Sequence, residues 1–313
     1  MERHPVALRE RGAVPSMAVE ELDHARRLAE RTHPLVEPFH LHGVDQPHPS
    51  GLRERMRGSL QKGGFGGDPA EPEGELVHEA LHDGIMARRG GSVRRVRLST
   101  GAELRVTGSG RAGTVVCVNG GQASEVEGTW SASVEWLVRQ LEPRLPEIRF
   151  AEVRYRIKSW RRLDWCAEDA AAAIRELASP RTLLLGFSMG GAVAISVADE
   201  DGVEGVVGLA PWIPDGLDLR PLAGRRLVVL HGSLDRWLPG IPGVSPRSSR
   251  RGFERALAAG ATGRYRLIPG AVHGLAVRAP GGRLVRLPRA ERWVELVADE
   301  LRAFASAPVT ASP

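Results

Sequence analysis

From about residue 92 to residue 305 the chain alternates short apolar runs with amphipathic stretches, and few residues separate them. The runs are too short to be buried helices and suit strands covered on both faces, while the stretches between them repeat apolar residues at helical spacing. One architecture satisfies both patterns: an α/β fold in which helices cover the two faces of a mostly parallel sheet. Eight strands are expected. Val93 to Leu98 and Leu104 to Val106, joined through Gly101, form an opening antiparallel hairpin. Thr114 to Val118, Ile148 to Arg154, Leu183 to Gly186, Val206 to Leu209, Leu227 to His231 and Tyr265 to Ile268 complete the set. Helices are expected where Val134, Leu137, Val138 and Leu141 recur, and where Leu163, Ala167, Ala170, Ile174 and Leu177 precede the stop at Pro180. A last helix begins near Pro288 and buries Ala290, Val294, Val297, Leu301 and Phe304. There is no internal repeat.

Residues 1–91 have another texture. Eight of the ten histidines fall before residue 83, and a Pro/Gly-rich stretch runs from Gln46 to Gly74. This reads as an N-terminal extension, partly helical and disordered in part. Its helices are Met17 to Thr32, capped by Ser16, and Glu75 to Arg89, ended by Gly90 and Gly91, with a flexible linker over Gly63 to Gly74. Residues 306–313 are expected to be a flexible tail.

With 313 residues, 42% of them hydrophobic, the chain can bury a sizeable core. No stretch approaches the roughly 20 apolar residues that span a bilayer, and the N-terminus lacks the apolar segment of a secretory signal, so a cytoplasmic protein with no membrane partner is expected. Cys117 and Cys166 have no framework or metal spacing and read as buried small hydrophobes of a reducing compartment. The net charge of +5 comes from arginines scattered among acidic residues, with Lys62 and Lys158 the two lysines, which argues against a nucleic-acid partner. The expected partner is a small-molecule substrate; oligomeric state is not legible.

The segment Leu183-Leu184-Leu185-Gly186-Phe187-Ser188-Met189-Gly190-Gly191-Ala192 runs from an apolar strand through a G-x-S-x-G turn into a helix. Glycines are needed there because the sharp turn leaves no room for side chains at 186 and 190, and the helix start aims free N–H groups at the serine. A serine hydroxyl is a poor nucleophile near neutral pH, so it needs a base and a group that fixes the base's tautomer. Two histidines lie beyond residue 82. His231 ends a strand and reads as a packing residue, which leaves His273, in Pro269-Gly270-Ala271-Val272-His273-Gly274, as the base. Asp235, closing His231-Gly232-Ser233-Leu234-Asp235, is the expected acid, with Asp215 after the preceding strand as its competitor. Donors for a developing oxyanion are the N–H of Met189 and one from Val118-Asn119-Gly120-Gly121-Gln122, at Gly121 or Gln122.

These three pieces, GFSMGG, HGSLD and a late GAVHG, resemble the α/β-hydrolase superfamily over about residues 92–305, in particular its esterase-like and dienelactone-hydrolase-like members. The order Ser, Asp, His is that family's own. The resemblance implies an eight-stranded, mostly parallel sheet without a large cap domain. It also implies hydrolysis of an ester, thioester or lactone through an acyl-serine intermediate, with no metal and no cofactor. Acyl transfer or C–C bond hydrolysis on the same three residues, or a non-catalytic binding role, are the alternatives. Asn119-Gly120 stands where the family usually has His-Gly, and Ser188 stands where a dienelactone hydrolase has cysteine. Only about Trp212 to Arg225 separates the sixth and seventh strands, too short for a helical lid; Ala276 to Leu287 or the extension is left to provide cover.

Two further features compete for function. His78-Glu79-Ala80-Leu81-His82 matches H-E-x-x-H, the helical zinc motif of metallopeptidases. The region is histidine-rich and no third ligand helix follows, so the motif is read as incidental, and His40 and His42 as solvated loop residues. Trp130, Tyr155, Trp160, Trp212 and Trp237 lie near the carboxyl ends of expected strands, where a ligand of such a sheet binds, and are candidate pocket residues.

Overall fold

A computed structural model describes residues 93–235 and 243–308. The expected helices, linker and histidine motif of residues 1–91, together with Trp237, lie outside the described residues, as does most of the tail. Among the described residues, twelve strands and five α-helices run in the order β1 (Arg94–Arg97), β2 (Glu103–Thr107), β3 (Gly113–Val118), β4 (Val126–Glu127), α1 (Ala132–Leu141), β5 (Ile148–Arg154), β6 (Ile157–Lys158), α2 (Leu163–Leu177), β7 (Thr182–Phe187), α3 (Met189–Ser196), β8 (Val203–Leu209), β9 (Arg226–Gly232), α4 (Pro246–Ala258), β10 (Thr262–Ile268), β11 (Ala276–Arg278), β12 (Leu284–Arg286) and α5 (Ala290–Ser306).

Eight of these strands form one sheet in the order β1-β2-β5-β3-β7-β8-β9-β10. The β1–β2 hairpin and the β2–β5 pair are antiparallel, and every pair from β5 to β10 is parallel. All eight expected strands and the opening hairpin are therefore present. Alternation along the central strands sends side chains to both faces. Val116, Val118 and Leu184 pack with α2, α3 and α4 on one face, and Val115, Cys117, Leu183 and Leu185 pack with α1 and α5 on the other. The five residues expected on the buried face of α5 are all buried.

The helix over Pro246–Ala258 and the short pairs β4–β6 and β11–β12 were not expected from the sequence. Pro246 opens α4 at a position where its missing N–H costs nothing. The β8-to-β9 connection carries only a single 3-10 turn, Arg220–Leu222, in line with the absence of a helical lid there. No described helix is long and apolar enough to cross a membrane. From β3 the chain crosses to β5 on one side and then returns to β7 on the other, so a crevice opens where β3 and β7 end.

Candidate active site

Because β3, β7, β8, β9 and β10 are parallel, the loops that follow them emerge along one edge. Val118 is level with Gly186, Leu209 with Leu230, and Gly232 with Ile268. That edge receives the Asn119–Gln122 loop, Ser188, Asp235 and His273.

Ser188 is the residue between β7 and α3, and its backbone is left-handed, with φ 55° and ψ −119°. Such a conformation costs a non-glycine residue about 1–3 kcal/mol and persists only when its surroundings fix it. Three backbone bonds do so: Ser188 N donates to Leu209 O at 2.9 Å, while Trp212 N and Gly191 N each donate to Ser188 O at 2.9 Å. The flanking glycines are required by space. A methyl on Gly186 would stand 2.3 Å from Gly190 O, and one on Gly190 would stand 2.3 Å from Val118 O.

The loop after β3 lies directly against this turn. A Cβ on Gly120 would be 3.3 Å from Ser188 Cβ, and one on Gly121 would be 2.2 Å from Met189 Sδ. Asn119, buried where the resemblance would have histidine, donates from Nδ2 to Val153 O at 2.7 Å and so ties the loop to β5. Tyr155 donates its hydroxyl to Asn119 O at 3.2 Å. The Gln122 carbonyl accepts from Trp160 N at 3.1 Å. As the first residue of α3, Met189 has an N–H without an intrahelical partner.

Asp235 and His273 are brought together, with His273 Nδ1 2.7 Å from Asp235 Oδ2. The carboxylate is buried and its other oxygen accepts from Val244 N at 3.0 Å. Burial opposes its charge, but hydrogen bonds from His231 and His273 outweigh burial and hold the carboxyl below the ordinary aspartate value. It therefore remains a carboxylate wherever an imidazole can serve as base. The His273 ring lies against Phe187, the residue before Ser188, with centroids 5.1 Å apart. Asp215, the competitor, has a side chain 86% exposed beside Arg255, 3.5 Å away, and does not meet His273.

The aromatic candidates divide. Tyr155 is only 2% exposed and supports the Asn119 loop from beneath, so it is a buttress and not a pocket wall. Trp130 is half-buried under the Arg105 guanidinium, 4.5 Å from its ring. Trp160 and Trp212 pack against the core from partly exposed positions, and the backbone of Trp212 touches Ser188. Cys117 and Cys166 are buried, and burial pushes the Cys166 thiol up to about 12, which leaves it inert. Among the described residues no group of three or more His, Cys, Asp or Glu side chains is arranged to hold a metal ion.

Sequence reasoning passed over the residues that fasten the His273 loop. Ser133 Oγ in α1 accepts from Leu275 N at 3.0 Å and Ala276 N at 3.3 Å and lies 3.0 Å from Ala276 O. Glu135, two residues on, binds Arg278 of β11 at 2.9 Å, Arg105 at 3.3 Å and Arg139 at 2.5 Å. Burial opposes its charge, yet these guanidiniums hold the Glu135 carboxyl below its ordinary value. Ser133→Ala would leave two buried N–H groups unpaired, at about 1–3 kcal/mol each. An expected loss of about 2–6 kcal/mol in unfolding free energy would be read by urea denaturation.

No family model matches the chain, and no curated protein is similar to it in sequence at a significant level. Solved structures do share its architecture. TT1662 from Thermus thermophilus superposes with a TM-score of 0.50 at 15% identity, over 71% of this chain and 100% of that one. An alpha-beta serine hydrolase homologue from Coxiella burnetii gives 0.50 at 16% identity, over 68% and 99%. MGS-M1, an alpha/beta hydrolase enzyme from a Medee basin deep-sea metagenome library, gives 0.50 at 18% identity, over 70% and 100%. With the sheet order, the switch at β3 and β7 and the strained serine turn, these likenesses establish that the chain has the α/β-hydrolase fold.

Proposed function

We propose that the protein is a serine hydrolase that cleaves an ester, thioester or lactone by way of an acyl-serine, using Ser188, His273 and Asp235. The observation that carries this reading is the 2.7 Å contact between His273 Nδ1 and the buried Asp235 carboxylate, on the same sheet edge as the left-handed Ser188. A histidine whose Nδ1–H is held by a carboxylate has a basic Nε2 to present to a hydroxyl.

The chemistry follows from these positions. Nε2 of His273 takes the Ser188 proton as Oγ bonds to the substrate's carbonyl carbon, and the carbonyl π pair moves onto oxygen. The oxyanion meets the N–H of Met189 and that of Gly121 or Gln122. Collapse restores the carbonyl and breaks the bond to the leaving group, which departs with the proton from His273. Water then repeats the sequence and releases the acid and free Ser188. Asp235 stabilises the imidazolium in both halves. None of these steps calls for a metal.

Rapid mixing with a nitrophenyl acetate tests the covalent step. A burst of nitrophenol close to one equivalent per active chain, followed by slower turnover and insensitive to EDTA, is the expected result wherever deacylation is the slower half. Trapping and mass measurement should then find one acetyl group, on Ser188. An acetyl group on another residue, or activity lost with EDTA, would contradict the proposal. Adding a simple alcohol distinguishes hydrolysis from acyl transfer by whether free acid or a new ester predominates.

A further inference from the structure

Two histidines, not one, bind the acid. His231 is the penultimate residue of β9, is fully buried, and sits level with Leu267 of β10. Its Nε2 is 3.0 Å from Asp235 Oδ2 and 2.9 Å from Val244 O. Both neighbours are acceptors, so Nε2 carries a hydrogen shared between them. Nδ1 is buried without a partner among the described residues, which suits a bare nitrogen and not an N–H. Nε2 is thus a donor to the carboxylate.

The result is a closed arrangement. Val244 N donates to Asp235 Oδ1 and Val244 O accepts from His231, while His231 and His273 share Asp235 Oδ2. Three donors converge on one carboxylate and fix its plane. Among the described residues, Tyr265 of β10 also lies against the cluster, its ring nearly parallel to that of His231 at 6.2 Å, with Arg250 of α4 4.3 Å from the Tyr265 ring. Tyr265 cannot compete for the carboxylate, since its hydroxyl donates to Pro246 O.

We infer that His231 is a positioning residue of the proposed reaction: its Nε2–H fixes the Asp235 carboxylate so that Oδ2 meets His273 Nδ1, and it withdraws part of that oxygen's charge from the catalytic imidazole. This rests on the Ser188–His273–Asp235 reading. Without the second donor the carboxylate can turn away from His273, and whatever contact persists holds the His273 proton more tightly. The first effect lowers kcat; the second moves the acid limb of the pH profile upward. Neither touches substrate binding.

The test uses the full chain and a nitrophenyl acetate, with His231→Phe, His231→Gln and Asp235→Asn compared at a temperature well below the melting point of each. His231→Phe should lose roughly 10- to 100-fold in kcat with KM within about twofold, and its kcat/KM acid limb should rise by at least about half a pH unit. In His231→Gln the amide nitrogen reaches the position of the imidazole Nε2, so most of kcat and the original acid limb should return. If His231→Phe does not fold, His231→Asn serves, because its shorter amide cannot reach Oδ2. Wild-type kcat and acid limb in the Phe or Asn variant would overturn the inference, as would a Gln variant as impaired as Phe at equal stability. Asp235→Asn separates the two levels. If it is severe while His231→Phe is silent, the triad stands and this inference falls; if Asp235→Asn is itself silent, the triad reading falls first and takes the inference with it.

Discussion

Ser188→Ala and His273→Ala should each lower kcat for a nitrophenyl ester by at least ~10³-fold while the protein stays folded. The size follows from the division of labour. Without Oγ there is no covalent route, and without the imidazole the hydroxyl has nothing to take its proton; what survives is the contribution of binding and the oxyanion donors. Folding is spared because both residues lie on the loop edge and outside both core clusters. Alanine also adopts left-handed backbone no worse than serine does, so the bonds from Trp212 N and Gly191 N to the carbonyl of residue 188 are retained. Circular dichroism and melting curves check the fold beside the rates. A His273→Ala variant near wild-type rate, with His231→Ala inactive, would exchange the roles of the two histidines.

The acid poses the second large effect as a contest between Asp235 and Asp215. Asp235→Asn keeps the shape but removes the charge that balances the imidazolium, and the amide can hold the wrong tautomer of His273, so a loss of roughly 10³- to 10⁴-fold in kcat is expected. Asp215→Asn should stay within about tenfold, because that carboxylate is exposed and meets Arg255 away from His273. Parallel kcat measurements decide between them. The reverse ranking would place the acid after β8 and leave the Asp235–His273 contact without a catalytic role.

Those expectations were accessible from the chain to different degrees. The sheet was legible because β3, β7, β8 and β9 are largely apolar runs buried on both faces, a pattern with few other interpretations. Helix α4 escaped notice because its segment, PRSSRRGFERALA, is dominated by arginine and serine. Of its large side chains only Phe253 is buried, although Ser245-Pro246 was a start signal. The pairs β4–β6 and β11–β12 are strands of two or three residues, too short for alternation to register. The edge that gathers Ser188, Asp235 and His273 could be anticipated, since each follows an expected strand. What holds them could not. Ser133 and Ala276 are 143 residues apart, and no local pattern announces that a serine in α1 secures the loop that carries His273.

His231 and Tyr155 show the same limit at close range. A strand-end histidine and an aromatic residue near the switch point gave no sign of which way they face. Tertiary packing turns Tyr155 inward beneath Asn119 and turns His231 toward the carboxylate four residues later. The HGSLD segment is thus both a strand terminus and half of a hydrogen-bonded clamp, and only the second property bears on the chemistry.

The most direct measurement is labelling with a fluorophosphonate, which phosphonylates a serine only when a neighbouring base has made it nucleophilic. The native chain should take up one equivalent, peptide mapping should put it on Ser188, and Ser188→Ala should not label. A well-folded native protein that fails to label, or that labels on another residue, would contradict the account.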